Sequence, residues 1–475
     1  MKTIQTLAAG ALALAFASAA FAQDVIHITG STAFRGATIA AIESELSNAN
    51  TTPIKVAYIP GAGISSELNA SVVIISGTPS DTGILTYVKC YWTGSVSGIT
   101  ALVYNVNEAN AWLANSVLTN AANSTISSFG ATSAKASSPL LVDGLAGDPS
   151  PSYDAAAPAD IAMADCHQAS TGYANPQLTE NQVGVIAFEW VANNGSPSTL
   201  LNMTDKGAEQ LLSGGTELFQ FTGVPTDTSV VRIVGRNFDS GTRLSTMAET
   251  GFGIFHNPVQ YAPVLDTSTT SSPTYGLITA LTKYPTDTLF AGTPAQTSYG
   301  VGASGYNGGG SVANALAAPN SLGQDTTANG SSYSGAIAST GTNSGPAILV
   351  GYLSRGDATT AMKLATNLAS TAGAASNVSP YNTNTAHRLT WNGVADWSGA
   401  NNQTVNSSFD QVIENGQYSF WEYEWLDYST NLSGDALTVA GDLANLITNT
   451  TAAVSGVNVN LMNVSRPVEG GIISP

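Results

Sequence analysis

The chain has 475 residues, only 10% of them charged, with 32 acidic against 14 basic side chains and a formal net charge of −18. That balance argues against nucleic acid or an anionic membrane as partner, since both reward basic patches. It leaves a small anion open, because a site of neutral dipoles and one arginine acts within the roughly 8–10 Å over which salt screens bulk charge.

Residues 1–22 read as a secretory signal peptide: Lys2 in a short n-region, an apolar run from Leu7 to Phe16, and the small-residue pattern Ala20-Phe21-Ala22 before Gln23. The apolar run is too short to span a bilayer. A soluble product outside the inner membrane, periplasmic or secreted, is expected, and the remainder is long enough for two or more domains. The two cysteines, Cys90 and Cys166, suit an oxidising compartment as one disulfide.

Four strand-turn units follow. Asp24 to Gly30 is a short strand running into Ser31-Thr32-Ala33-Phe34, after which Ala37, Ile39, Ala40, Ile42 and Leu46 recur at helical spacing. The pair Val72–Ile75 and Ile84 onwards reads as an inserted hairpin around Ser76-Gly77-Thr78-Pro79. Tyr87 to Trp92 is a second strand, turning at Gly94-Ser95-Val96-Ser97-Gly98; a helical piece is expected over Glu108 to Leu118. Ala159 to Ala164 ends at Asp165, and Val230 to Val234 ends in Arg236-Asn237-Phe238-Asp239-Ser240-Gly241-Thr242. Strands alternating with helices predict an α/β fold with mostly parallel sheets, whose ligands gather at the carboxyl ends of strands. Residues 262–345 are rich in Ser, Thr, Gly and Asn and read as long loops or a decorated hairpin. Order returns at Ala347 to Leu353 and in the aromatic stretch Tyr418 to Trp425.

The segment from Arg236 to Thr242 has the composition of an oxyanion receptor. A helix N-terminus leaves backbone N–H groups unpartnered and carries roughly half a positive charge. Gly241 permits close backbone approach, and the Arg236 guanidinium presents a fork of donors. A Ser-Gly-Thr turn that merely caps a surface helix fits the same residues.

Together the four motifs resemble the periplasmic phosphate-binding proteins of ABC transporters, which have the type 2 periplasmic-binding-protein fold, here with large insertions. That family opens with a Gly-Ser/Ala-Thr turn, matched by Gly30 to Phe34. Its tyrosine and Gly-Ser-x-x-Gly turn is matched by Tyr91 and Gly94 to Gly98. Its D-I-G-x-S-D strand is matched by Asp160 to Asp165, and its R-x-D-G-S-G-T by Arg236 with Ser240-Gly241-Thr242. The family's anion-binding threonine falls on Ala33, so Thr32 or a backbone N–H must substitute. Phe238 and Asp239 stand where an aspartate and a glycine are usual, and Arg35 where proline is frequent.

The resemblance implies a two-domain clam shell that binds inorganic phosphate through Thr32, Ala33, Phe34, Ser95, Asp165, Arg236, Ser240, Gly241 and Thr242, with no metal, no cofactor and no enzymatic activity. Asp165 would accept the proton of hydrogen phosphate, whereas fully ionised sulfate would leave a buried carboxylate unpaired. Residues 23–188 with 356–475 would form one domain and 189–355 the other, hinged near Val183–Val191 and Ile348–Leu353. The chain would act as a monomer delivering phosphate to an ABC permease. If both strand ends meet at one ligand, Cys90 and Cys166 would share a cleft wall and be bridged. Two other readings stay open: a secreted structural or adhesive protein on the same fold, and a phosphatase. The scattered His27, His167, His256 and His387, and the lack of metal or nucleophile signatures, give the latter no support.

Overall fold

A computed structural model describes residues 23–47, 54–59, 67–118, 128–129, 140–141, 152–193, 196–265, 278–284, 304–317, 348–362, 386–398 and 409–475. The signal-peptide expectation and most of the 262–345 tract lie outside them.

The strands that position the site are β1 (Gln23–Gly30), β2 (Ile54–Tyr58), β3 (Val72–Gly77), β4 (Leu85–Tyr91), β5 (Ile161–Ala164), β6 (Leu178–Ala192), β7 (Val230–Val234), β8 (Ile348–Ser354), β9 (His387–Trp391) and β10 (Trp421–Ser429). All belong to one 14-stranded sheet, in which the order runs β7-β8-β6-β10-β5-β1-β4-β3-β2, with β9 beside β6. The α/β expectation holds where the motifs lie: β1 pairs parallel with β4 and β5, and β7 pairs parallel with β8. Antiparallel pairs form the β2-β3-β4 hairpins and the strands that join the two parallel groups, and they also place β9 on β6 and short strands at the sheet edges.

The joining strand β6 is 15 residues long. Residues 183–192 are buried on both faces, which is why they read as a continuous apolar run rather than an alternating one. Its first part pairs with β10 and its end, Phe188–Ala192, with β8. The ladder to β10 shifts register between Glu424 and Trp425, opposite Gly184. A Cβ at Gly184 would lie 2.4 Å from the Phe34 ring, so this glycine lets Phe34 pack flat on the sheet and fixes the turn that follows β1.

Helices α1 (Arg35–Leu46), α2 (Ser95–Tyr104), α3 (Gly241–Glu249) and α4 (Gly309–Ala317) each follow a motif or close over one. On α1, Ala37, Ile39, Ala41, Ile42 and Leu46 join the largest core, which reaches across the sheet to Trp190, Trp391 and Phe420, rings 5.3–6.2 Å apart. A separate core fills the space between α2 and β5, with Val96, Ile99, Ala162 and Cys166.

Two expectations are corrected. Residues 108–118 contain only a 3-10 turn at Asn115–Leu118. Asn105 and Asn110 hold left-handed φ of 49° and 55°, which ends helical propagation, and Glu108 and Leu113 instead bridge to Ala157 and Tyr153. Cys90 and Cys166 are both free and buried. Cys90 sits on β4 opposite Ile28 of β1, while Cys166 follows β5 on the other side of β1. Two ladder spacings, roughly 9–10 Å, separate those strands, beyond the reach of a disulfide. The sulfurs also belong to different cores, Cys90 with Ile28 and Cys166 with Val96. Burial pushes both thiols up, so neither is a ready thiolate.

A candidate oxyanion-binding site

Three of the parallel strands, β1, β4 and β7, end in turns that open a helix. After β1, Gly30 takes φ +108°, where a Cβ would fall 2.0 Å from the Met163 carbonyl oxygen. Ser31 N–H donates to that carbonyl at 2.7 Å, and Ser31 Oγ accepts the Phe34 N–H at 3.3 Å, closing the turn that carries Thr32 into α1. After β4, Gly94 takes φ +115° and brings the first turn of α2 against the Asp239 carbonyl, which accepts Val96 N–H at 3.0 Å and Ser97 N–H at 3.3 Å. After β7, Ser240 caps α3, its Oγ accepting the Arg243 N–H at 3.2 Å.

These turns converge on Asp165, 1% exposed at the end of β5. The Ser95 hydroxyl donates to Oδ1 and accepts the Asp165 N–H at 3.2 Å. Thr242 Oγ1 donates to Oδ2 at 3.0 Å, and Ser245 Oγ to the Asp165 carbonyl at 3.1 Å. Gly241 lies so close that a Cβ there would meet Asp165 Oδ1 at 1.7 Å. Asp165 thus joins hydroxyls from the first turns of α2 and α3, which follow strands in opposite halves of the sheet. Burial raises its pKa, opposed by the Ser95 and Thr242 hydroxyls and by the charge of Arg236.

Arg236 is 2% exposed, and its hydrogen bonds go to neutral acceptors: Nε to the Tyr306 carbonyl at 3.2 Å, Nη2 to the Asn307 carbonyl at 2.9 Å and to Thr32 Oγ1 at 3.4 Å. Its backbone is held as firmly, with N–H donating to Tyr352 OH at 3.0 Å and the carbonyl accepting Gln260 Nε2 at 2.8 Å. Burial lowers its pKa; Asp357 opposes this most, followed by Asp165 and Tyr352. Asp357, just beyond β8, is thus the carboxylate whose charge most favours the Arg236 cation. Asp239 instead accepts from Asn237 Nδ2 at 3.1 Å.

Ser95, Asp165, Gly241 and Thr242 are thus brought together, and Arg236 with Thr32 beside them. The Ser240 hydroxyl caps its own helix, and Phe34 is buried against the sheet with its N–H donating to Ser31 Oγ. His167 stacks on Trp425 at 4.0 Å with Nδ1 3.1 Å from Glu180 Oε1, a packing role. The sequence reading missed Tyr306, Tyr352, Gln260 and Asp357, of which only Tyr352 had a signal, in the strand after Ala347. It also missed Glu424 on β10, fully buried, with Oε2 3.5 Å from Ser31 Oγ and Oε1 without a hydrogen-bond partner among the described residues. Burial, then Asp165, push the Glu424 pKa well up, which favours its neutral form behind the turn. Among the described residues, one trio of carboxylates, Glu45, Asp81 and Asp442, has oxygens within 4.8 Å of one another. It shares no residue with this site.

No family model and no curated protein matches the sequence. Similar solved structures include a putative phosphate ABC transporter substrate-binding protein with bound phosphate from Clostridium perfringens, at 10% identity over 92% of this chain and 100% of that one, TM-score 0.41. An ABC-type phosphate transport receptor from Vibrio cholerae matches at 14% identity over 89% and 96%, TM-score 0.34. PstS from Borrelia burgdorferi matches at 10% identity over 91% and 95%, TM-score 0.35.

Proposed function

We propose that this chain is an exported receptor for inorganic phosphate, the substrate-binding component of a phosphate ABC transport system. The observation that carries the reading is the buried Asp165 carboxylate, bonded by Ser95 and Thr242 from two helix N-termini and faced by the Arg236 charge. Hydroxyls turn at little cost, so Ser95 and Thr242 can redirect their protons to an entering oxyanion. Asp165 then accepts the ligand's own proton, which sulfate lacks. Arg236 is bonded to carbonyls rather than carboxylates, so its charge remains available to the anion. The Asp239 carbonyl occupies the first N–H groups of α2, so this helix contributes its Ser95 hydroxyl and its dipole rather than those N–H groups.

Residues 23–188 with 356–475 form one lobe in this reading and 189–355 the other, with β6 and β8 as the crossing strands that open and close the site. The protein works as a monomer outside the inner membrane after loss of residues 1–22, and presents phosphate to a permease without chemical turnover. Calorimetric titration of residues 23–475 with phosphate tests the reading. One-to-one binding with weak competition from sulfate is expected, and absence of binding would overturn it. Release of phosphate from a phosphomonoester would favour the hydrolase instead.

A further inference from the structure

Arg35 is the first residue of α1 and directly follows the turn whose Thr32 hydroxyl receives Arg236 Nη2. Its Nε is buried without a hydrogen-bond partner among the described residues. The charges it feels are Asp357, which is also the leading counter-charge of Arg236, and Arg236 itself. Two guanidiniums therefore feel the charge of one carboxylate, and Arg35 stands at the start of a helix whose N-terminus adds further positive potential. Burying like charges together is unfavourable unless something between them carries the opposite sign.

We infer that Arg35 is a second anion-binding guanidinium of this site and that it selects the dianionic form of phosphate over the monoanionic form. This rests on the phosphate reading above and adds a residue and a charge-state preference to it. The reason is Coulombic: an extra positive charge interacts about twice as strongly with a dianion as with a monoanion at the same distance. Both forms keep a proton for Asp165, so Asp165 distinguishes phosphate from sulfate while Arg35 distinguishes the two phosphates from each other. Arg35 also supplies a donor where Ala33 brings none.

The groups facing Arg35 and its partner are Asp357 beyond β8, Arg236, Tyr352 on β8 and Asp165 at the end of β5, with Glu424 of β10 behind Asp165. On its own helix the acids are Glu43 and Glu45, roughly 12–15 Å along the axis. Glu45, raised to about 7 by burial and by Asp442 and Asp81, titrates in the same window, and His167 is raised by its bond to Glu180. These groups are common to wild type and variant, so the difference between the two isolates Arg35.

The experiment is calorimetric phosphate titration of residues 23–475 at pH 5.5 and pH 8, in wild type, Arg35→Gln, Arg35→Lys and Arg236→Ala, each first shown to melt cooperatively. Arg35→Gln should weaken phosphate about tenfold at pH 8 and about threefold or less at pH 5.5. Arg35→Lys, which keeps the charge, should retain most of the wild-type pH dependence. Unchanged affinity in Arg35→Gln, or an equal loss at both pH values, overturns the proposal; if Arg236→Ala still loses affinity in the same series, the phosphate reading stands without it. Wild type that binds no phosphate at either pH overturns both.

Discussion

Two buried arginine clusters in this molecule solve opposite problems. Arg388, fully buried on β9, forms an ion pair with Glu189, and neighbouring Arg355 pairs with Asp396 at 2.9 Å and Asp410 at 2.5 Å. There every guanidinium faces a carboxylate at ion-pair distance, and the cluster ties β6, β9 and the segment after β8 together. Arg236, just as deeply buried, is bonded to two carbonyls and a hydroxyl. Asp357 and Asp165 oppose its charge without taking up its fork. A matched cluster is a structural tie, whereas an arginine solvated by neutral dipoles keeps its positive potential for a ligand.

That contrast is broken most forcefully at Arg388. Arg388→Ala leaves the buried Glu189 only the more distant Arg355 guanidinium, 4.0 Å away, and should cost about 3–5 kcal/mol of folding stability. Denaturant unfolding measures this, and phosphate affinity of the remaining folded protein should be unchanged. Arg236→Ala should show the reverse weighting, a loss of about 2–4 kcal/mol in phosphate binding with a smaller change in stability, and Lys should recover only part because it lacks the planar fork. Equal stability losses in both variants would show that Arg236 is a structural tie like Arg388.

The two clusters were also unequally legible. Ser95, Asp165, Arg236 and Thr242 stand where a strand pattern breaks into Gly and Ser, and that punctuation is local. The groups that hold them are not. The Asp357 charge and the Tyr306 carbonyl act on Arg236 from 121 and 70 residues away in sequence, and no local signal marks either. Arg388 and Glu189, 199 residues apart, read as isolated charges on apolar strands. The disulfide expectation failed for a related reason: compartment and cysteine count say nothing of which strand lies between two thiols, and β1 does. The motifs at those strand ends meet nonetheless, through Ser95 and Asp165 rather than through sulfur. The helix expected over 108–118 failed because two asparagines adopt positive φ, a choice fixed by the bridges to 153 and 157.

Selectivity sharpens the comparison from the acid side. Asp165→Asn preserves shape but offers an amide donor in place of a second acceptor. Competition assays should find sulfate gaining about tenfold while phosphate and arsenate, both protonated, move together. Identical sulfate competition in wild type and variant would remove Asp165 from the ligand.

The smallest effect separates the acids that face a cation from one that does not. Glu189 has two guanidiniums; Glu424 has the Ser31 hydroxyl and the like charge of Asp165. Its pKa is raised above the unfolded value by burial first and Asp165 second, so the folded state binds a proton that the unfolded state has released near neutral pH. Stability therefore falls as pH rises from the ordinary glutamate range, near 4.3, towards the raised folded value. Glu45, raised to about 7, has the same sign between those limits. Wild type should accordingly melt higher at pH 5 than at pH 8. Glu424→Gln keeps the shape and the neutral form, so it should leave the melting temperature at pH 5 nearly unchanged and raise it at pH 8 by a few degrees. A variant that melts lower than wild type at pH 8 would mean that Glu424 is ionised in the folded protein, and that the Ser31 turn is held by a carboxylate rather than by a neutral acid.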